Sequence, residues 1–321
     1  MSATGGRSGG KNSGGGAGGR VAIYSSVFFY KGSIVVFGGS ATQGHFGGPG
    51  TVFVQEIRDK RPFSQLWLDN LNRDYVNEIV LDEVNKTVYE FSALHLLRKA
   101  SLRLALKNVK STLKILKLFG DRTGLLKALA KHVVFLETSD TEHKVSKPSS
   151  NLLIEKNGEM VFGASIYVVG DGKPLQGVSS LVSDGRMTHV TNIYISKGTK
   201  VRFLRHAHTA AWYNGSLVVA EPGMFMLSLL EIQDGGQLLF PHSLGMHCTV
   251  GLIILKYGAT VIADNHNVSV TSLVMEAGSR ITASGDVRPT QDGGPVLPGS
   301  CRGSGGSHGS RGGKGTILLM I

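Results

Sequence analysis

Residues 191–283 contain five similar segments, which read TNIYISKGTKVRF (191–203), HTAAWYNGSLVVA (208–220), SLLEIQDGGQLLF (228–240), GLIILKYGATVIA (251–263) and TSLVMEAGSRITA (271–283). Each segment has apolar residues at its third, fifth, eleventh and thirteenth positions and glycine at its eighth. Apolar residues two apart lie on one face of a β-strand. Each segment therefore predicts two short strands that share a buried side.

The glycine of each segment marks the corner between the two predicted strands. A corner residue often needs a positive φ, which costs little only for glycine. Successive glycines lie 17 to 23 residues apart, which fits one coil of a solenoid, whereas α-helical repeats need longer units. One coil is too small to fold alone, so the pattern predicts an all-β parallel β-helix of stacked coils. The predicted corner residues are Gly198, Gly215, Gly235, Gly258 and Gly278.

Two glycine-rich tracts flank the strand-rich sequence. The chain has 321 residues and 44 glycines, which concentrate at its two ends. We expect glycine-rich loops at 1–20 and 284–315, projecting from one edge of the solenoid. Residues 21–283 are then the coils, and residues 316–321 begin a further strand.

Several motifs resemble one known group of repeats. They are ITASG (281–285), GSHG (306–309), GGRVAIY (18–24), GGPGTV (47–52) and FGDRTGLL (119–126). In this combination the chain resembles the glycine-rich right-handed parallel β-helix repeats, pectin-lyase-like in fold, of very large extracellular animal and protist proteins. The resemblance implies a right-handed coil and a unit cut from a longer secreted or cell-surface protein. Such a unit would carry no signal peptide of its own.

The sequence leaves the cellular compartment open. No apolar run is long enough for a membrane span, and the N-terminus lacks the apolar core of a signal peptide. Sequons at Asn85, Asn214 and Asn267 would accept glycans in a secretory compartment. Cys248 and Cys301 neither require nor exclude a single disulfide.

Residues 92–136 allow two interpretations. Alternating apolar residues such as Leu102, Leu104 and Leu106 favour strands, with Ala100 in the place of a corner glycine. Read at a period of 3.6 residues, the same stretch would form a cationic amphipathic helix. We favour strands.

This middle stretch also carries most of the chain's excess positive charge. Within it the cations are opposed only by Asp121, and the formal net charge of the whole chain is +11. Stacked on one outer face, they would bind anionic glycan, anionic lipid or nucleic acid, whereas the alternative is a solvated face whose lysines prevent wrong strand pairing. The candidate binding residues are Arg98, Lys99, Arg103, Lys107, Lys110, Lys114, Lys117, Arg122, Lys127 and Lys131.

Catalytic and metal signals are weak. Two histidine groups, His206 with His208 and His242 with His247 and Cys248, lack the spacing of a zinc site, so we assign no metal and no cofactor. The paired carboxylates expected of a glycoside hydrolase are missing, and we assign no catalytic residue.

We expect a non-enzymatic structural or adhesive segment of an extracellular protein, joined to further repeats of its parent chain. Its partners would be anionic glycans or matrix proteins, bound through the basic face. A polysaccharide lyase or glycoside hydrolase on the same fold is the alternative. A basic, glycine-rich nucleic-acid-binding protein is a second alternative, which would require disordered tracts and unused sequons.

Overall fold

The structure is a computed structural model in which the chain forms strands and turns and no helix in the part described. The chain divides into two compact units, unit 1 (Met1–Leu153) and unit 2 (Ile154–Ile321). The described residues are 1–10, 13–41, 46–58, 60–73, 78–107, 109–136, 150–168, 179–195, 199–204, 207–213, 216–219, 224–239, 247–262, 267–284, 287–289, 300–306 and 318–320.

Unit 1 is a β-solenoid whose chain alternates between two sheets. One sheet has the order β1-β2-β3-β5-β7-β9, and the other contains β4-β6-β8-β10. All described pairings in the unit are parallel except β2 with β3. The strands are β1 (Arg20–Tyr24), β2 (Thr51–Arg58), β3 (Arg61–Asp69), β4 (Glu78–Leu81), β5 (Val88–Leu97), β6 (Ser101–Leu104), β7 (Ser111–Gly120), β8 (Leu125–Ala128), β9 (His132–Leu136) and β10 (Asn151–Ile154).

Unit 2 repeats this alternation. Its sheets run β11-β13-β17-β19-β21-β25 and β12-β14-β18-β20-β22-β24-β23. The strands are β11 (Glu159–Val168), β12 (Ser180–Ser183), β13 (Arg186–Ile195), β14 (Lys200–Phe203), β15 (His208–Tyr213), β16 (Ser216–Val219), β17 (Met224–Ile232), β18 (Gln237–Leu239), β19 (His247–Leu255), β20 (Thr260–Ile262), β21 (Asn267–Met275), β22 (Arg280–Ser284), β23 (Val287–Pro289), β24 (Ser300–Gly306) and β25 (Leu318–Met320).

Strand register places equivalent residues of the repeated frame above one another. Ile195 pairs with Ile232, Ile232 with Leu255, and Leu255 with Met275. The eleventh positions of the frame form a second row of this kind in the other sheet. The predicted parallel β-helix is confirmed, because four of the five segments stack coil upon coil with their apolar residues aligned.

The second segment folds differently. Strand β15 pairs with β16 in antiparallel register, and its first residues, His208 to Ala210, pair with Arg186 to Thr188 of β13. Strand β17 then takes the place on β13 that a regular second coil would occupy. This segment is therefore a hairpin beside the stack and not a coil of it.

The corners of the coils are four-residue turns whose third residue has a positive φ. At three such corners of unit 2 that residue is Gly235, Gly258 or Gly278, with φ between 67° and 74°. The turns are closed by backbone hydrogen bonds of 2.8 to 3.1 Å between their fourth and first residues. Glycine meets the need of this position, as expected. Gly198 and Gly215 lie outside the described residues.

Unit 1 uses lysine at two equivalent corners. Lys99 and Lys131 have φ of 65° and 66°, and their turns are closed by Ala100 N and His132 N. The expectation for Ala100 was wrong by one residue, because Ala100 is fully buried just after the corner and Lys99 holds the strained position.

Side chains of the next coil support the corner at Lys99. The Asp121 carboxylate accepts the backbone N–H of Arg98 at 2.7 Å, and Thr123 Oγ1 accepts the N–H of Lys99 at 2.7 Å. The next residue along the chain, Gly124, must be glycine, because a Cβ there would lie 2.5 Å from the Leu96 carbonyl oxygen. The FGDRTG motif thus stabilises the corner of the preceding coil by accepting backbone hydrogen bonds from it.

The strand interpretation of residues 92–136 is confirmed. This stretch contains most of β5 and all of β6 to β9. Leu94, Leu102 and Leu113 have no exposed surface, and they face the interior of the coils. The amphipathic-helix alternative is excluded.

The described residues of the N-terminal glycine tract pack against other segments through backbone hydrogen bonds. Gly39 N donates to Gly16 O at 2.7 Å, and Gly47 N donates to Gly39 O at 3.0 Å. A Cβ on Gly47 would lie 1.8 Å from Gly16 O, so only glycine fits this backbone-to-backbone contact. The segments that exchange such hydrogen bonds are 1–8, 15–20, 34–40 and 46–51.

The described residues of the C-terminal tract include two short strands. Within residues 284–315, β24 pairs in parallel with β22, and β23 pairs with β24. In residues 316–321, β25 pairs in parallel with β21.

Candidate functional site

The basic residues of the middle stretch have acidic partners in the preceding coil. Arg98 is paired with Asp69, Lys114 with Glu90 at 2.6 Å, and Lys107 with Asp82 at 3.6 Å. These carboxylates lie about one coil earlier in the chain, so the sequence of 98–131 alone did not show them. Part of the positive charge expected from the sequence is therefore offset by these carboxylates.

The same residues do not share one face. Arg103 and Lys127 lie on β6 and β8 of one sheet, whereas Lys114 and Lys117 lie on β7 of the other. Lys99 and Lys131 occupy corners, and Lys107, Lys110 and Arg122 lie in connections between strands. The structure does not bring all ten residues to one face, because the coil turns between these positions. Binding of an anionic partner by these residues stays a prediction.

An aromatic row stands on the outer face of β3, β5 and β7. Trp67 pairs with His95, and His95 pairs with Phe119, through parallel register. The Trp67 and His95 rings stack with centroids 3.5 Å apart and planes within 5°. His95 and Phe119 stack at 4.7 Å and 14°. The three rings form a continuous aromatic row, to which each coil contributes one ring.

The two ends of this row are open to solvent. Trp67 and Phe119 are 37% and 40% exposed, although Leu66 and Leu68 beside Trp67 are buried. The middle ring, His95, is half-buried, and burial lowers its pKa from 6.5 to about 4. Its Nε2 has no hydrogen-bond partner in the part of the chain that the structure describes. His95 is therefore neutral at physiological pH.

Polar groups flank the aromatic row. Gln65, Ala93 and Lys117 form the next row on the same face, two residues back along each strand. Lys117 is exposed and has no ion-pair partner among the described residues. The Asp69–Arg98 pair lies beyond the row on its other side.

A groove of about 410 Å³ runs beside Trp67. The segment 28–37 forms one wall, and Val52, Val54 and Gln65 form the other. Apolar packing of Val36 against Val52 and Val54 holds that segment on the sheet. Trp67, Asp69 and Arg98 lie at the groove, which thus combines apolar walls with a few polar groups, as ligand pockets commonly do.

Sequence reasoning missed the aromatic row, although a signal was present. The rings occupy the middle of Leu66-Trp67-Leu68, Leu94-His95-Leu96 and Leu118-Phe119-Gly120. In the first two cases the aromatic residue separates two buried leucines near the end of a strand, and in the third it stands at the same place near the end of β7. Comparison of successive coils, and not of one local window, would have found it.

The structure describes some of the remaining sequence candidates and not others. Asn85 is exposed at the third position of a turn with φ of 62°, a geometry accessible to a glycan. Asn214 lies outside the described residues, and Asn267 begins β21. His206 and His242 also lie outside them. In the described part of the chain, no group of three or more His, Cys, Asp or Glu is placed to hold a metal ion.

A helix able to cross a membrane does not occur in the described part of the chain. Comparison with family models, curated proteins and solved structures gives no match to this chain. The fold therefore defines the class, a β-solenoid.

Proposed function

We propose that this chain is a non-enzymatic structural and adhesive module that binds glycan chains on the outer face of β3, β5 and β7. The observation that carries this proposal is the row of Trp67, His95 and Phe119, which is stacked and open to solvent at both ends. Flat aromatic rings offer the apolar surface on which the C–H faces of sugars stack. Because the three rings stack face to face, the ring faces left for sugars to stack on are those of Trp67 and Phe119 at the two ends of the row. These two ends lie about 10 Å apart, so an extended chain can reach both.

The polar flanks give the aromatic row its chemistry. The Gln65 amide can both donate and accept hydrogen bonds, and Lys117 supplies an unpaired ammonium group on the same face. These groups favour a glycan with hydroxyl groups and occasional negative charge. They replace the broad basic face as the contact for an anionic glycan.

The proposal includes the setting of the module. We propose that it belongs with the glycine-rich parallel β-helix repeats of large secreted or cell-surface proteins, joined to further repeats of its parent chain. The exposed Asn85 and the packed glycine tract support this assignment. In such a protein the solenoid serves as a stiff spacer that carries its contact face on one side.

Tryptophan fluorescence tests the binding face. The chain has two tryptophans, and a Trp212→Phe background leaves Trp67 as the only reporter. Titration with neutral and uronate-containing oligosaccharides should shift the Trp67 emission and saturate. Phe119→Ala should weaken binding roughly tenfold, since losing one stacking ring removes about 1 to 1.5 kcal/mol.

A matched control is Phe135→Ala, which removes an exposed ring on β9 outside the row. Equal affinity for the Phe119 and Phe135 variants would contradict the proposal. The same oligosaccharides should remain uncut, and a steady rise in absorbance from unsaturated products would instead establish the lyase alternative.

A further inference from the structure

A second cleft, of about 590 Å³, lies between the glycine tract and the sheet of β4 and β6. Backbone of Gly18 and of residues 48–50 forms one wall. Glu78 of β4 and Arg103 of β6 line the side formed by the sheet, and Arg20 of β1 also lines the cleft. This cleft is separate from the aromatic row, and none of the residues of that row line it.

Glu78 at this cleft organises two cations. It pairs with Lys127 through Oε1 and accepts a hydrogen bond from Arg103 Nε at Oε2, with a length of 2.7 Å. Burial of the carboxylate favours its neutral form, but hydrogen bonds and charges from Lys127 and Arg103 outweigh burial and lower the pKa of Glu78. The triad is thus fixed and fully charged at neutral pH.

Donors remain available on the two arginines. Arg103 uses Nε on Glu78 and Nη1 on the Leu104 carbonyl at 3.2 Å, which leaves Nη2 for a ligand. Arg20 is exposed and has no ion-pair partner in the described structure. Lys127 does not line the cleft, but its charge offsets that of Glu78, so the positive charges of Arg20 and Arg103 are left unbalanced.

We propose that this cleft binds a phosphate monoester of a small molecule. A phosphate monoester carries close to two negative charges at pH 7, which matches the two unbalanced positive charges. Guanidinium groups donate strong hydrogen bonds to phosphate oxygens. Arg103 has Nη2 for such a bond and is held in place by Glu78, and Arg20 has its guanidinium for a paired contact. The cleft is large enough to hold a sugar or nucleoside attached to the phosphate.

Isothermal titration of the whole chain with inorganic phosphate, glucose 6-phosphate and AMP tests this site. The two esters distinguish a sugar phosphate from a nucleotide. Glucose, which is uncharged, and acetate, which carries a single negative charge, are the control ligands. We expect binding of phosphate and of at least one ester, with an affinity that falls as the pH drops through about 6, where the dianion is protonated.

Arg20→Gln should weaken that binding roughly tenfold or more, because a charged hydrogen-bonding group is lost. Arg61→Gln is the control, since Arg61 is an exposed arginine of β3 that does not line the cleft. Arg20 lies on the edge strand β1 and forms no ion pair with a described residue. Its replacement should therefore leave the melting temperature unchanged, which a thermal scan checks. No heat with any phosphate at about 10 mM, equal affinity for acetate, or equal loss in the Arg61 variant would each overturn the proposal.

Discussion

Acidification should destabilise unit 1 through His95. The ring lies between Trp67 and Phe119, and its buried Nε2 has no partner within the described residues. Burial lowers its pKa to about 4 in the folded chain, against 6.5 for an unperturbed histidine. Between these values the unfolded chain binds a proton that the folded chain does not. The free energy of unfolding is therefore highest above pH 6.5 and falls as the pH drops towards 4.

The size of the effect follows from the two pKa values. The fall from 6.5 to about 4 corresponds to at most about 3.4 kcal/mol, at about 1.4 kcal/mol per pH unit. Two features reduce this upper value: the ring is only half-buried, and the faces of Trp67 and Phe119 attract a protonated imidazole. We expect a loss of about 2 kcal/mol between pH 7 and pH 4.

Urea unfolding at several pH values measures this loss. In a Trp212→Phe background the emission reports on Trp67 and hence on unit 1. His95→Phe is the informative variant, because it keeps a stacked ring and cannot take up a proton. The difference between the two pH profiles isolates His95 from other groups that titrate in this range.

One such group is His132. Burial favours its neutral form and lowers its pKa, while its ring nitrogens contact Leu129 N at 3.2 Å and Ala105 O at 3.1 Å. The His95→Phe profile should therefore keep a residual slope. Identical pH profiles for the parent and the variant, or an NMR titration of His95 centred near 6.5, would refute the reasoning.

Two further predictions concern backbone geometry, and urea unfolding measures both. Gly47→Ala should lower the free energy of unfolding by about 3 kcal/mol, because its Cβ would meet Gly16 O, whereas Gly9→Ala, with no atom within 4 Å, should change it by less than about 0.5 kcal/mol. Lys131→Gly should stabilise the chain by about 0.5 to 1 kcal/mol by relieving a positive φ, and Gly258→Ala should destabilise it by about 1 kcal/mol. A stabilising Gly47→Ala or a destabilising Lys131→Gly would contradict these assignments.

The coil frame was predictable wherever glycine holds the corner. The rows through Ile195, Ile232 and Leu255 follow directly from spacing within 191–283. The corners at Lys99 and Lys131 were not predictable in this way, because lysine is not a residue that favours positive φ. There the turn is imposed by its hydrogen bonds and by packing of the adjacent coil.

The hairpin in unit 2 had a local signal that the repeat frame obscured. Strand β15 ends at Tyr213, β16 begins at Ser216, and the two residues between them in sequence are Asn214 and Gly215. Asn-Gly between two apolar runs is a strong signal for a two-residue hairpin. The same glycine also fits the eighth position of the frame, so the pattern of apolar residues alone could not decide between a coil and a hairpin.

Charges on the coils were harder to predict than the coils themselves. Arg98 and Asp69 are 29 residues apart, and Lys127 and Glu78 are 49 apart. The first pair joins successive coils and the second spans two coils, so each depends on how far a coil advances the chain, which varies from coil to coil. Net charge within a sequence window therefore overstates the charge of a solenoid face.

The same dependence on coil length makes the aromatic row sensitive to the corners. Alternate residues of a strand lie on opposite faces, so a shift of one residue between Leu94 and Leu96 would turn His95 into the interior and a leucine outward. The turn at Lys99 and its bond to Thr123 fix the phase of β5 against β7. The strained corners of unit 1 thus hold in register a face to which each coil contributes a single ring.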